Sequence, residues 1–224
     1  MVTVAPWATT TRIDMTMPDR LSLIQWLSPA FPTGGFAYSH GLEQAMAEGL
    51  RNADGVASWV ADVLRHGGGW IDAVLLALVL RGEDADQLTD LARALASSAE
   101  RLAETMDQGR AFATTVAALT GRSQPERPLP VAVGEAARHL ALPAAEIIAH
   151  YLHAFAANLI AGATRFLPLG QVQAQVALAR LHPLIDTLAR QAATAGRDRL
   201  EGCCFSADLA AMRHETLDVR IFRT

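Results

Sequence analysis

The 224-residue sequence contains no lysine, and this absence excludes several kinds of chemistry. All 19 basic residues are arginine, so neither a Schiff-base lysine nor the lysine of a phosphate-binding P-loop is present. The 23 acidic residues give a net charge of −4, which offers no electrostatic basis for binding nucleic acid. The composition therefore argues against P-loop nucleotide hydrolysis and gives no support to a nucleic-acid partner.

Cysteine is almost as scarce. The chain has only two, Cys203 and Cys204, and they are adjacent. Neighbouring cysteines seldom meet the geometry of a disulfide bond, so we expect a reduced, cytoplasmic chain. The N-terminus lacks a basic segment followed by a long apolar core, the pattern of a secretory signal. The longest apolar run, residues 73–80, is much shorter than the ~20 residues of a membrane-spanning helix. It predicts a buried helix and no membrane partner.

Aromatic residues make up only 6% of the chain, whereas alanine and leucine dominate the 51% that is hydrophobic. This balance favours helices over strands. We predict an all-α fold: a single-domain bundle of about ten helices with an extended C-terminal tail, in which residues 18–224 form the domain and residues 1–17 a flexible N-terminal tail. The helices are predicted at residues 18–28, 36–48, 54–66, 70–81, 85–97, 99–119, 131–140, 143–166, 171–194 and 206–213.

The candidate catalytic and metal-binding residues do not form complete sites. His150 and His153 share one face of a predicted helix, but two ligands without an HExxH or CxxC pattern predict no metal site. Cys203, Cys204 and His214 suggest thiol catalysis, yet no orienting group or oxyanion donor accompanies them. We therefore expect ordinary surface or interface histidines and buried cysteines, with no catalytic residue and no cofactor.

A turn rich in proline and glycine occupies residues 28–43, with the sequence SPAFPTGGFAYSHGLE. Gly34 and Gly35 permit positive φ angles, so the chain can reverse direction there. Without a lysine or a preceding strand, the segment is a poor phosphate site. The residues that follow the glycines predict an exposed polar and aromatic cluster suited to partner recognition, namely Tyr38, Ser39, His40 and Glu43.

Two later segments also carry clear patterns. Residues 147–181 predict two apolar helices separated by a hinge, LPLG, at residues 167–170. The second of these helices contains Pro183, which is predicted to kink or split it. At the C-terminus, Leu217, Val219 and Ile221 alternate with charged or polar residues and predict an extended tail that docks on a surface. Because this tail follows the last strong helix, it is expected to contribute little to the core.

Three separated motifs resemble those of urease accessory proteins of the UreF type, and they occur in the same order. They are SPAFPTGGFAYSHGLE at residues 28–43, YLHAFAANLIAGATRFLPLGQ at 151–171, and MRHET at 212–216 followed by RIFRT at 220–224. The segment ETMDQGR at 104–110 is a weaker match. Two positions depart from the family pattern: His40 stands where glutamine is usual, and Asp218 where an aromatic residue is common.

The resemblance implies an all-helical homodimer that is not itself an enzyme. Such a protein is a scaffold or chaperone that joins a UreD- or UreH-type accessory protein to a UreG-type GTPase, so that nickel is inserted into apo-urease. The resemblance also implies which residues build the turn, flank the hinge and order the tail for partner binding: Gly34, Gly35, Tyr38, Glu43, Arg165, Gln171, His214, Glu215 and Arg220.

Two alternative functions remain open at this point. A GTPase-activating protein would present an exposed arginine to the nucleotide of its partner, and the chain has several arginines that could serve. A direct nickel carrier would use His150, His153 or Cys203 as ligands.

Overall fold

The computed structural model describes residues 16–223, and within this range the chain forms ten α-helices and no β-strand. The predicted all-α, single-domain class is confirmed. Residues 1–15 of the predicted N-terminal tail lie outside the described residues, while residues 16 and 17 belong to the first helix. The helices are α1 (Thr16–Trp26), α2 (Leu42–Ala47), α3 (Ala53–His66), α4 (Gly68–Leu80), α5 (Ala85–Ala94), α6 (Ala99–Thr120), α7 (Leu129–Ala137), α8 (Ala144–Phe166), α9 (Gln171–Thr194) and α10 (Phe205–His214).

Helix α4 lies at the centre of the fold because it is apolar on every side. The residues 73–79 are completely buried, as the apolar run predicts, and α4 packs against α3, α7, α8 and α9. A helix that is hydrophobic all round must be enclosed by others. Asp72 is the one acidic residue in this helix, and it is buried too.

Helices α8 and α9 pack along each other on either side of the predicted hinge at residues 167–170. The predicted stripe along α8 is confirmed, since Ile148, Leu152 and Leu159 are buried and Phe155 is partly buried. Helix α8 is long and apolar enough to cross a membrane, but half of its most apolar stretch is buried inside the protein. Helices α3 and α4 follow each other with a bend of 41°, and they are long and apolar enough to cross a membrane only if they are counted as one helix. A buried core helix accounts for both observations.

The predicted helix at residues 36–48 is wrong in its first half. A short 3₁₀ turn covers Gly35–Ala37, and α2 begins only at Leu42. Between them His40 has φ +50° and Gly41 has φ +72°, and this left-handed geometry interrupts an α-helix. A Cβ at Gly41 would lie 2.7 Å from the carbonyl oxygen of Ala207, so the residue also permits close packing of α10.

Pro183 does not split α9, which continues from Gln171 to Thr194. Proline removes the hydrogen bond to the carbonyl four residues earlier, here that of Ala179. Both residues are exposed, so water can satisfy the freed carbonyl. Buried residues on the opposite face of α9, such as Leu181 and Ile185, hold the helix against the core.

Candidate interaction site: the docked C-terminal tail

The segment after α10, residues 215–223, folds back over the body of the protein and is held by Glu43. The Glu43 carboxylate is only 3% exposed. It accepts hydrogen bonds from the backbone N–H groups of Ile221 at 2.8 Å and Phe222 at 2.9 Å. Its Oε2 atom also lies 2.9 Å from Nε2 of His214. One buried carboxylate therefore fixes both the end of α10 and the tail.

His214 lies between two carboxylates and is fully buried. Its Nε2 atom contacts Glu43, and its Nδ1 atom lies 2.9 Å from Oε2 of Glu100 on α6. Both ring nitrogens are therefore within hydrogen-bonding distance of a carboxylate oxygen. Arg220 donates from Nη1 to the other oxygen of Glu100 at 2.7 Å. The tail is therefore joined to α6 by charge-assisted hydrogen bonds.

Glu215 attaches the tail to the first turn of α6. Its Oε1 atom accepts from the backbone N–H of Ala99 at 3.1 Å and of Glu100 at 3.4 Å. Ser98 caps the same helix by accepting from the N–H of Arg101 at 3.1 Å. The amide groups of the first helical turn lack partners within the helix, and a carboxylate there is favoured by the helix dipole.

Arg165 secures the opposite edge of the tail. From the last turn of α8 it donates to the carbonyl oxygen of Phe36 at 2.8 Å. Its guanidinium group also lies over two rings, 5.5 Å from the centroid of Phe36 and 5.9 Å from that of Phe222. Phe222 is buried and packs against Gly162, where a Cβ would lie 3.4 Å from the ring. Cation–π contacts of this kind strengthen as the groups lose solvent.

The 3₁₀ turn also helps to hold the tail against the body of the protein. The N–H of Arg223 donates to the carbonyl of Ala37 at 2.7 Å. Gly34 adopts φ +75°, and a Cβ at Gly35 would lie 2.9 Å from the amide nitrogen of Asn158. The positive φ favours glycine at position 34, whereas a larger residue at position 35 would require the Asn158 side chain to move.

The structure thus brings together the residues singled out for partner binding except Gln171, which is exposed at the start of α9. One expectation about this region is wrong. Tyr38, Ser39 and Glu43 are buried rather than exposed, because the tail and α6 cover them, and His40 is mostly buried. Within the tail only Phe222 is buried, so the tail adds little to the core.

A second buried network adjoins this site, and sequence reasoning missed it. Glu104 on α6 lies 3.0 Å from Nε2 of His40 and accepts from Nε2 of Gln108 at 2.8 Å. The Nη1 atom of Arg101 lies 3.0 Å from Oε2 of Glu104. Burial would raise the pKa of Glu104, but His40 and Arg101 outweigh it and lower that pKa to about 2. In the sequence, the weaker match to the family motifs at residues 104–110 was the feature that pointed to this network.

Arg101 links this network to the centre of the fold. Its NH2 group donates to Oδ2 of Asp72 on α4 at 2.7 Å, and the hydroxyl of Tyr151 on α8 donates to the same oxygen at 2.7 Å. Burial, followed by the charge of Asp72, raises the pKa of Tyr151, which therefore remains a donor. A single aspartate inside an otherwise apolar helix was the sequence signal for this buried charge.

One of the two cysteines is not where the sequence predicted it. Cys204 is buried as expected, but Cys203 is exposed, because it lies in the open segment before α10. Burial raises the pKa of the Cys204 thiol, which disfavours the nucleophilic thiolate. Both nitrogens of His214 already contact glutamates, so this histidine is not available to activate a thiol.

Across residues 16–223, no group of three or more His, Cys, Asp or Glu side chains is arranged to hold a metal ion.

The chain is similar to known proteins of a single family. The UreF family model matches residues 50–182. The chain is 62% identical to a urease accessory protein UreF of Cereibacter sphaeroides strain KD131 over 91% of this chain and 98% of that protein. It is 57% identical to a protein of the same name from Paracoccus denitrificans, over 92% and 96% of the two chains. For the one from Roseobacter denitrificans the identity is 48%, over 96% and 98%. The chain therefore belongs to the UreF family of urease accessory proteins.

Proposed function

We propose that this protein is a cytoplasmic, non-enzymatic scaffold of urease maturation. It joins a UreD- or UreH-type accessory protein to a UreG-type GTPase, so that nickel is inserted into apo-urease. The names of the relatives support a role in urease maturation. The partner roles rest on the resemblance of the three motifs and on the docked tail.

The docked tail is the observation that carries this proposal. Its polar contacts are turned inward, whereas two of its apolar side chains face outward, Val219 at 82% exposure and Ile221 at 59%. Phe36 of the 3₁₀ turn is also exposed, at 61%. Exposed apolar residues clustered beside arginines, here Arg165 and Arg220, are typical of protein interfaces. Because Glu43 fixes the tail in place, the partner meets a preorganised surface and less conformational entropy is lost on binding.

Substituting the outward-facing residues of the tail tests this function. The double variant Val219→Asp/Ile221→Asp should lower capture of the cognate UreD- or UreH-type protein by roughly tenfold or more, since charged groups would be buried at the interface. Co-purification and urease activation in a reconstituted system measure the effect. The fold should be unchanged because both side chains are exposed.

Leu119→Asp is the matched control, since Leu119 is also exposed but lies at the far end of α6. It should capture the partner as the unaltered protein does. Normal capture and normal urease activation by the Val219→Asp/Ile221→Asp variant would refute the proposed docking surface.

We also propose that the protein is a homodimer. Helices α1 and α9 expose more apolar side chains than the surface of a monomer usually carries. These side chains are Met17, Leu21, Ile24, Val172 and Val176. Light scattering of the isolated protein should give twice the chain mass of 23.9 kDa. A monomer at micromolar concentration and above would contradict this expectation.

A further inference from the structure

We propose that a cavity beneath the 3₁₀ turn binds a small neutral amide, the class of molecule that includes acetamide and urea. The cavity lies between this turn, α6 and α8, and the side-chain amides of Gln108 and Asn158 are part of its wall. The site does not include the outward-facing residues of the tail, and it goes beyond the scaffold role.

The cavity is large enough for a small solute. Its volume is about 60 Å³. One water needs about 10–15 Å³ measured in the same way, so the cavity holds roughly four to six waters or a solute of similar size. The inner wall is buried and includes the apolar side chains of Trp26, Phe112 and Leu159. The rim is partly exposed at Ser28 and Thr33, so a small solute can enter from the solvent.

The two amides of the wall have hydrogen-bonding atoms without partners. Gln108 is only 6% exposed and donates from Nε2 to Glu104 at 2.8 Å, but within residues 16–223 its Oε1 atom accepts no hydrogen bond. The side chain of Asn158 makes no hydrogen bond to any residue in that range. Enclosed polar groups are normally paired. A bound polar molecule would supply the missing partners.

Gly35 leaves the space in which such a molecule fits. A Cβ at this position would lie 2.9 Å from Nδ2 of Asn158 and 3.3 Å from Oε1 of Gln108. A donor and an acceptor therefore lie next to the same uncovered stretch of backbone, within reach of one small molecule. An amide matches this pair, because its NH₂ group can donate to Gln108 while its carbonyl oxygen accepts from Asn158.

The charges near the cavity favour a neutral ligand. Burial would raise the pKa of Glu104, which lines the cavity, but His40 and Arg101 lower that pKa to about 2. The carboxylate is therefore ionised at neutral pH and repels an anion. Arg101, the cation that could offset this repulsion, lines the neighbouring cavity instead. A cationic ligand would find Glu104 already paired with His40 and Arg101.

Titration of the ¹⁵N-labelled protein with acetamide, and separately with urea well below denaturing concentrations, tests the site by NMR. The side-chain NH₂ resonances of Gln108 and Asn158 should shift saturably. The expected Kd is about 0.1–10 mM, because so small a ligand gains little binding energy in total. Acetate has nearly the size of acetamide but carries a negative charge, and it should bind at least roughly tenfold more weakly.

Two variants remove the proposed contacts. Gly35→Ala places a methyl group against both amides, and Asn158→Leu removes one amide at similar volume. Each should weaken acetamide binding, followed at the Gln108 resonance, by roughly tenfold. Gln175→Leu is the matched control, since Gln175 is exposed on α9 and lies outside the cavity, and it should bind as the unaltered chain does. Circular dichroism of each variant checks that the fold is retained.

Saturable binding of either amide that is weakened in the folded variants supports the proposal, and the tighter ligand distinguishes a carboxamide site from a urea site. Three results would overturn it. They are the absence of a saturable shift with both amides, which would leave only water in the cavity, equally tight binding of acetate, and unchanged binding in Asn158→Leu. Because the titration uses the isolated chain, its outcome is independent of partner capture.

Discussion

Replacing Glu43 with alanine should destabilise the protein by about 3–5 kcal/mol, because three polar groups lose their buried partner and each such loss costs about 1–3 kcal/mol. The substitution takes away the partner of His214 and the acceptor of two backbone N–H groups, those of Ile221 and Phe222. Buried donors without acceptors carry the full penalty of desolvation. The tail should then detach, so capture of the UreD- or UreH-type partner should be lost as well.

Urea unfolding of the variant and of the unaltered protein measures the free energy of unfolding. Glu48→Ala is a suitable control. Glu48 also pairs with an arginine next to the tail, Arg213, at 3.1 Å, but both side chains are about half exposed. Exposed ion pairs contribute about 0–1 kcal/mol, so this control should unfold almost as the unaltered protein does. Equal stability of Glu43→Ala and Glu48→Ala would refute the central role of Glu43.

Replacing Arg101 with methionine should have a comparably large effect, about 3–5 kcal/mol, because it leaves two buried carboxylates without their shared cation. Asp72 and Glu104 both contact this guanidinium, and all three side chains are largely enclosed. Arg110→Met is the control on the same helix, since Arg110 pairs with Asp107 at the surface. It should cost less than about 1 kcal/mol. If both variants unfold at the same urea concentration, the network does not stabilise the fold.

The pH dependence of stability provides a second readout for Arg101→Met. The pKa of Glu104 is lowered from 4.5 to about 2, so its contribution is complete above about pH 4.5 and is lost as the pH falls towards 2. Without Arg101, one of the two groups that lower this pKa is absent. The variant should therefore lose less stability than the unaltered protein over that interval. Urea unfolding at several acidic pH values would test this, and identical slopes would count against it.

The sequence by itself determined the helices and most of their ends. Local periodicity was sufficient for α8 and its hinge, because the apolar stripe and the Pro168–Gly170 break are properties of neighbouring residues. The same holds for α4, whose continuous apolar run has no stable place except the core. The three motifs also determined the family. Each of these inferences used residues close together in the chain.

Only the tertiary structure decided how the polar residues are used. Glu43 and Ile221 are separated by 178 positions, and no local pattern predicts that one side chain accepts from the backbone of the other. The same long-range contacts bury Tyr38, Ser39 and Glu43, which the sequence pattern placed on the surface. Gln108 and Asn158 likewise line one cavity only because α6 and α8 meet at the 3₁₀ turn. Burial and charge pairing depend on distances across the fold, and these are fixed when the helices pack.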